Sequence, residues 1–542
     1  MEEIKSFLKN PSKLYGVLLI FLTTLVFLSS LGYEFVFLDD TSIVYDDYGR
    51  ISSLDKIPET FTSNYLGGHY YRPFTVITFI LNAVVSGQHP FSYHLVNLLL
   101  HVLTSFFVYR ILLLAGNKEF ISALAAMIYG LSAIHINAVG WMAGRADLLA
   151  GFFGSAAFLF LLKYKSEKNI RNILASLMCI LLAVLSKESA IVLPFIFSAY
   201  LLFSKDVETK RKLVASIVFL LVVIFYLLLR NFVSDTVRTD TIALSTFFIN
   251  LRVLPETLTK FLFPFNIDVL PDFSPITTSA GVIIIIAVLL IPFLMKDINR
   301  KIYYAGIISF FLLMIPGMFF RTMSLDGFYY WDCRSYLPLS AMIFPVSEIL
   351  KSLSHRYEQK KVHNLGYVYV FVLALGTIYH LQKYSDGKTL WENVIEDYPR
   401  RYLSYIGLFN YNNHYKNFSE AEKNLKKALE INPSNVQYRI LQINFYKSQH
   451  NYEKALQSVV EGLKYDKENI PLTQQLIKLA GMTDNNLLLT EILFRETKNK
   501  KYYAGLKGLF EQELIIAKQE NDSASYNFYN TLIEKTDSIP GN

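Results

Sequence analysis

The stretch LYGVLLIFLTTLVFLSSLGYEFVFLDD, residues 14–40, decides what kind of molecule this is. From Leu14 to Tyr33 it carries no charge. A helix needs about 17 to 25 such residues to cross roughly 30 Å of hydrocarbon, so the run is long enough to span a bilayer. A basic head precedes it, but the apolar core is too long for a signal peptide and lacks a small-x-small cleavage site. It is expected to stay in place as a first span. The residues directly after it are opposite in character: Asp39 and Asp40, then Asp46 and Asp47, stand just where the span ends.

Composition extends this reading to the whole chain. Of its 542 residues, 52% are hydrophobic and 15% aromatic, and the mean hydropathy is positive. That balance lies outside the range of ordinary soluble proteins and implies an all-α, polytopic membrane protein. The net charge is +7, but Lys and Arg gather in short loops and in the last quarter rather than along one stripe. No nucleic-acid partner is expected from such a distribution. The two cysteines, Cys179 and Cys333, provide neither a disulfide framework nor a cysteine zinc site.

About eleven candidate spans recur, near 14–32, 91–114, 120–136, 148–163, 172–186, 189–203, 213–230, 281–295, 302–320, 337–352 and 364–382. The turn SKES, Ser186 to Ser189, divides the run 172–203, because an ionic pair at mid-bilayer is costly. Basic short loops mark the cytoplasmic side. With the N-terminus inside, the inner loops carry Lys163, Lys165, Lys168 and Arg171, then Lys210, Arg211 and Lys212, then Lys360 and Lys361. This topology divides the chain into a transmembrane domain, 1–383, with outer loops 34–90 and 231–280, and an extracytoplasmic domain, 384–542. The membrane would be the plasma or inner membrane of a prokaryote, or the endoplasmic reticulum of a eukaryote. Within the first outer loop, Phe74 to Val85 is too short to span and reads as an interfacial or re-entrant helix. The run TIALSTFFINLRVLPETLTKFLF, 241–263, reads as another.

From Tyr384 onward hydropathy drops and a repeat emerges. LSYIGLFNYNNHYKNFSEAEKNLKKALEINPSN, 403–435, fits the tetratricopeptide (TPR) pattern: Tyr405 and Leu408 on a first helix, Phe418, Ala421, Leu425 and Ala428 on a second, then Pro433. Phe418 and Tyr452, and likewise Ala421 and Ala455, are 34 residues apart, which is the period of that repeat. Residues 470–535 continue as helical pairs with decayed motifs. Such repeats stack into an α-solenoid whose concave surface holds a peptide or protein. A spacer or an oligomerisation module is the alternative.

The outward polar groups form one set: Asp39 and Asp40; His69, Arg72 and His89; His94, Asn97 and His101 at helical spacing; His135, Trp141, Arg145 and Asp147; Lys187 and Glu188; Asp332, Arg334 and Tyr336. Carboxylates and cations at one membrane level suit the attack of a hydroxyl on a sugar carried by a lipid phosphate. A carboxylate takes the proton from the hydroxyl. Cations stabilise the charge growing on the phosphate, a leaving group that dispenses with the second acid of glycosidases. Arg334, Arg72, Lys187 and Arg145 are the candidates for the phosphate, and His94, Asp147, Glu188 and Tyr336 for the pocket. Adjacent side chains on a helix diverge by roughly 100°. One of Asp39 and Asp40 is therefore expected as the base and the other as the cap of a helix starting near Thr41. Asp46 and Asp47 read as surface charges, and the charges at 145–147 and 187–188 as able to pair with each other or with other buried charges. His94, Asn97 and His101 also suit interhelical hydrogen bonding, and Trp141 an interface anchor. No tight ligand spacing supports a metal site.

The segments FVFLDDTSIV, YYRPFTVITFILNAVVSGQHPFSYHLVNLLLHVLTSFFVYRIL, AIHINAVGWMAGRADLLAG, LSKESAIVLP, CRSYLPLS and TLWENVIEDYPRRYLSYIGL occur in that order. Together they resemble the transmembrane and tetratricopeptide-repeat (TMTC) family of membrane glycosyltransferases, which is similar to protein O-mannosyltransferases of the C-type (GT-C) fold. The resemblance implies an inverting transfer, on the outer face, from a polyprenyl- or dolichyl-phosphate sugar to a Ser/Thr hydroxyl of a protein, with mannose as one sugar and no bound cofactor. It implies that Asp39 and Asp40 match the family's acidic motif and that Arg334 takes the place of its R-x-YLP arginine, near the donor phosphate. Two other readings stand beside it. One is a transferase acting on an envelope lipid or glycan with the repeats recruiting partners, and the other a non-catalytic scaffold whose repeats are the function. A transporter fits less well, since paired broken helices in two halves are not evident.

Overall fold

The computed structural model describes residues 10–65, 70–233, 244–319, 330–482, 492–494 and 500–538. The first helix, α1, Pro11–Phe27, starts where its sequence dictates: the Asn10 side chain accepts the Lys13 N–H and Pro11 fills the first turn. After it come α2 Pro73–Ser86, α3 Phe91–Leu114, α4 Glu119–Gly130, α5 Ile136–Gly140, α6 Arg145–Glu167, α7 Ile170–Ser186, α8 Leu193–Phe203 and α9 Thr209–Val233. The unit continues with α10 Leu244–Asn250, α11 Val253–Leu262, α12 Pro275–Leu294, α13 Arg300–Met318, α14 Tyr336–Arg356, α15 Gln359–Leu381 and α16 Gly387–Asp397. Among the described residues there is no strand, only a single bridge between Tyr65 and Tyr70.

Each expected span coincides with a helix, but not every helix is long and apolar enough to cross a membrane alone. Among the described residues seven are: Pro11–Gly32, Phe91–Leu114, Met142–Glu167, Thr209–Val233, Pro275–Leu294, Arg300–Met318 and Gln359–Tyr384. Helix α4 and the segment Ala133–Gly140 meet at 46°, and counted as one broken span they make eight. Helix α7 and the segment Glu188–Phe203 are apolar but short, and α14 carries Glu348, Lys351 and Arg356 in its second half. These three make the difference between eight and the expected eleven.

The run Phe74 to Val85 is helical as expected, and α2 packs on α3 and α7, with the Thr75 hydroxyl donating to the Ser186 carbonyl at 2.8 Å. The run 241–263 is instead two helices, α10 and α11, for its described part. Helices α6 and α7 form a hairpin closed by Lys168 in the left-handed region (φ 56°) and by the Asn169 cap.

The chain divides into two compact units, Met1–Asp397 and Tyr398–Asn542. The boundary expected at residue 383 precedes α16, which lies in the first unit. In the second unit, α17 Tyr402–His414 pairs with α18 Phe418–Ile431, and α19 Val436–Ser448 with α20 Tyr452–Tyr465, before α21 Ile470–Met482, α22 Lys500–Gln519 and α23 Ser523–Asp537. Lys416 (φ 59°) and His450 (φ 56°) turn left-handed one repeat period apart, each followed by an asparagine. Ala421, Leu425, Ala428 and Ala455 are fully buried, Leu408 is buried, and Tyr405 and Tyr452 pack partly buried on this core. Pro433 follows α18 and is half-buried. Phe418 is 42% exposed and meets Phe445 through a ring edge, 6.3 Å between centroids.

Candidate active site

The acidic stretch after α1 is a bent turn held by its own backbone. The Asp40 carboxylate accepts the Val36 N–H at 2.6 Å, and the Val36 carbonyl accepts the Trp391 indole N–H at 3.1 Å. The Glu34 N–H donates to the Ser385 carbonyl at 2.9 Å. Between these contacts Phe37 adopts φ 58°. A bulky residue in the left-handed region costs on the order of 1–3 kcal/mol and persists only where its surroundings fix it. Here the buried side chains of Phe35, Val36 and Phe37 do so. Asp40 is 1% exposed, whereas Asp39 beside it is partly open. Neither carboxylate caps the turn Thr41–Asp46, contrary to expectation. Asp40 already has helical backbone angles (φ −56°, ψ −41°), and a capping side chain needs an extended residue to reach over the first amides.

Three ion pairs hold the other candidates, and Arg72 of the first of them acts on Asp39. Arg72, just before α2, donates twice to Glu188, at 2.8 and 2.7 Å, and lies over the Tyr70 ring at 4.1 Å. Lys187 pairs with Asp147 at the start of α6. Lys187 and Glu188 thus serve different partners although adjacent, because Lys187 is extended (φ −153°, ψ 130°) between α7 and the next turn. The third pair, Lys260 of α11 with Asp332, has contacts of 3.2 and 2.9 Å. Asp332 opens the short segment that also carries Cys333, whose thiol lies against Asp147, and Arg334, which stands partly exposed over the Tyr330 ring at 5.7 Å. Helices distant in sequence thereby bring Asp39, Asp40, Arg72, Glu188, Lys187, Asp147 and Arg334 to one end of the bundle.

The electrostatics follow from burial and partners. Burial pushes the Asp39 carboxyl up to about 6, with Arg72 pulling it back. Burial takes Asp40 to about 7 against the Val36 N–H, and the neighbouring Asp39 adds to the rise. Burial would raise Glu188 too, but Arg72 outweighs it and holds the carboxyl down at about 2. Asp332 is raised by burial despite Lys260. A partly open carboxyl that titrates near neutrality is suited to accept a proton from a hydroxyl.

Other candidates lie further in. Arg145 is 0% exposed and its guanidinium donates to Asn97, to the Tyr93 carbonyl at 2.7 Å, to Asn82 at 3.0 Å and to Thr78 at 3.2 Å, above the Phe79 ring. It braces α2, α3 and α6 together through neutral acceptors. His94 is buried with its ring edge-on to Tyr33. His101 faces the Gly130 carbonyl through Nε2 at 2.8 Å, so its Nδ1 accepts the Tyr336 hydroxyl at 2.9 Å. Tyr336 is accordingly committed to an interhelical bond. Trp141 is buried and stacks on Trp331 at 5.1 Å, rather than sitting at the protein surface as an anchor does. Asp46 and Asp47 are exposed. His69 lies outside the described residues. Among the described residues no three His, Cys, Asp or Glu side chains gather as a metal site requires.

Sequence reasoning missed Lys260 and Glu256. Their spacing on α11 reads as a surface pair, yet Lys260 is 2% exposed and turned to Asp332, while Glu256 accepts the Ser274 N–H and the Thr278 hydroxyl, both at 2.7 Å. The available signal was the apolar company that α11 keeps at Val253, Leu258 and Phe261. Trp391 was missed because nothing in its local sequence points toward Val36.

Fold and site define a class: a multi-pass helical membrane protein with carboxylates and cations collected at one end of its bundle. Residues 73–233, from α2 through α9, match the dolichyl-phosphate-mannose-protein mannosyltransferase family. The chain is 32% identical over 198 residues to the human protein O-mannosyl-transferase TMTC3, covering 34% of this chain and 21% of that protein. It is 29% identical over 189 residues to the Caenorhabditis elegans protein O-mannosyl-transferase F38B6.6, covering 32% and 26%. With human TMTC4 it shares 33% identity over 128 residues, 21% of this chain and 17% of that one. These matches support a TMTC-like glycosyltransferase family, in agreement with the motifs. The matched segments span at most 26% of the length of these relatives.

Proposed function

We propose that this chain is a membrane glycosyltransferase that moves a sugar, mannose by analogy with the names of its relatives, from a polyprenyl- or dolichyl-phosphate donor to a Ser/Thr hydroxyl of a protein outside the cytoplasm. The observation that carries this reading is the placement of Asp39, partly open and raised by burial to about 6, within the electrostatic reach of the ion-paired Arg72. Asp39 accepts the proton as the acceptor oxygen attacks the anomeric carbon. The bond from that carbon to the phosphate oxygen breaks on the opposite face, and the lipid phosphate leaves with the electron pair, so the configuration inverts. Arg334 meets the departing phosphate, as bidentate guanidinium contacts suit its oxygens. Arg72 and Lys187, engaged with Glu188 and Asp147, keep the charged groups of the site preorganised.

Position and charge also support the topology. With the basic loops inside, the short helices α7 and α8 and the charged α14 complete a GT-C-type bundle of about eleven spans. The repeats of the second unit then form a TPR solenoid on the outer side and hold the acceptor protein.

The test is transfer from labelled polyprenyl-phosphate sugars to Ser/Thr peptides by the purified protein. Asp39→Asn is expected to lose on the order of 10²- to 10⁴-fold in turnover, and Arg334→Ala to weaken use of the donor. A wild-type protein that consumes no donor, or an Asp39→Asn variant at full rate, would overturn the reading.

A further inference from the structure

The segment TLWEN, residues 389–393, lies past the last span and takes no part in the three ion pairs, yet its tryptophan reaches the acidic turn. Trp391 is 2% exposed, and its indole N–H donates to the Val36 carbonyl at 3.1 Å. That carbonyl belongs to the peptide unit leading into Phe37, the residue held at φ 58°. Rotation of this peptide is what sets the Phe37 φ angle. On its other side Val36 gives its N–H to Asp40 at 2.6 Å. Val36 is therefore pinned twice, once by the carboxylate it orients and once by a residue from α16.

Helix α16 is itself fixed. Asp386 caps it, accepting the Thr389 N–H at 2.9 Å and the Thr389 hydroxyl at 2.7 Å. Lys383 before the helix bridges to Asp268 at 3.1 Å and to Asp397 at its far end at 3.5 Å. A second strut, the Glu34 N–H to the Ser385 carbonyl at 2.9 Å, ties the start of the acidic turn to the same place. A phenylalanine keeps an aromatic ring in the same apolar space while removing the donor and some volume. Without the donor the Val36 carbonyl loses its partner in a buried setting, and the peptide can rotate so that Phe37 returns to the ordinary backbone region.

We infer that Trp391 is a positioning residue for the acidic turn, its indole N–H fixing the Val36–Phe37 peptide and thereby the direction in which Asp39 points. The catalytic consequence rests on the function proposed above, whereas the clamp itself does not. Loss of the bond lets Phe37 relax and swings Asp39 away from the acceptor hydroxyl, leaving donor contacts in place.

The experiment compares full-length wild type, Trp391→Phe, Asp386→Ala and Asp39→Asn by amide hydrogen exchange and by transfer kinetics. Trp391→Phe is expected to speed exchange across residues 34–41 by about 3- to 10-fold, the worth of one net hydrogen bond, with α3 and α6 unchanged. It lowers kcat while the donor KM stays put, and Asp386→Ala does the same more weakly. Unchanged exchange across 34–41 in Trp391→Phe would overturn the clamp. Faster exchange with wild-type kcat, in a protein that Asp39→Asn inactivates, would overturn the positioning role. Faster exchange with neither Trp391→Phe nor Asp39→Asn affecting turnover would uphold the clamp and overturn the assignment of Asp39 as base.

Discussion

Arg72 grips Glu188 through two parallel hydrogen bonds, Nε to Oε2 at 2.8 Å and Nη2 to Oε1 at 2.7 Å, joining the start of α2 to the turn between α7 and α8. The pair is mostly buried, with side chains 11% and 17% exposed, so removing one partner strands the other. Glu188→Gln is expected to cost about 3–5 kcal/mol, read as a lower unfolding midpoint in detergent. Arg72→Lys is expected to fall well short of wild type, since an ammonium cannot make the fork. The Glu188 carboxyl sits at about 2 when folded, below the ordinary glutamate value of about 4.3. Its contribution to stability is therefore full above that ordinary value and lost as pH falls through about 2. A midpoint that does not fall in acid would contradict this.

Turnover carries a second pH signature. A general base works as the carboxylate, and Asp39 titrates at about 6 between burial, which raises it, and Arg72, which lowers it. The groups facing it are Arg72, Asp40 and Tyr65. The rate of peptide glycosylation is expected to fall tenfold per pH unit below about 6. In Arg72→Met the opposing cation is gone, and the acid limb should move to higher pH. A limb that stays fixed in Arg72→Met would separate Asp39 from the titration.

How much of this was legible in the sequence depends on the physics behind each feature. The long apolar helices were, because hydrocarbon demands uninterrupted apolar runs, and so was the acidic pair, because charge directly after a span is conspicuous. Ala421 and Ala455 were legible as buried positions, since small residues suit places where helices approach closely. The pairing was not legible. Lys187 and Glu188 are neighbours, and only the extended backbone at Lys187 sends them to Asp147 and Arg72. Nor was the role of Asp40, which depends on a left-handed turn at a phenylalanine, a residue type that gives no local sign of one.

Lys260 and Asp332 supply a third prediction. Both are buried, with contacts of 2.9 and 3.2 Å, and the pair anchors α11 to the segment bearing Arg334. Lys260→Met leaves the Asp332 carboxylate alone in an apolar setting and is expected to cost about 3–5 kcal/mol. Adding Asp332→Leu removes the stranded charge, so the double variant should be more stable than Lys260→Met alone. Additive losses in thermal unfolding would show that the two residues do not act as a pair.

Gly151 sets how α6 meets α14. A Cβ added there would collide with Cε1 of Tyr336 and stand 2.5 Å from its Cδ1, closer than real contacts come. The Tyr336 ring has little room to yield. Its hydroxyl is bound to His101 at 2.9 Å, its carbonyl accepts the Tyr129 hydroxyl at 3.1 Å, and the His135 ring packs against it at 4.8 Å. Gly151→Ala is therefore expected to cost about 1–3 kcal/mol by overpacking. Tyr336→Phe should not relieve it, because the clash is with the ring and not the hydroxyl. Tyr336→Leu in the same chain removes the clashing atoms and should restore part of the unfolding midpoint. Because Tyr336 begins α14 and Arg334 lies in the turn just before it, displacing the ring also displaces Arg334. Gly151→Ala is thus expected to raise the KM for the lipid-phosphate donor more than the KM for the peptide, and an equal effect on both would detach this contact from the donor side of the site.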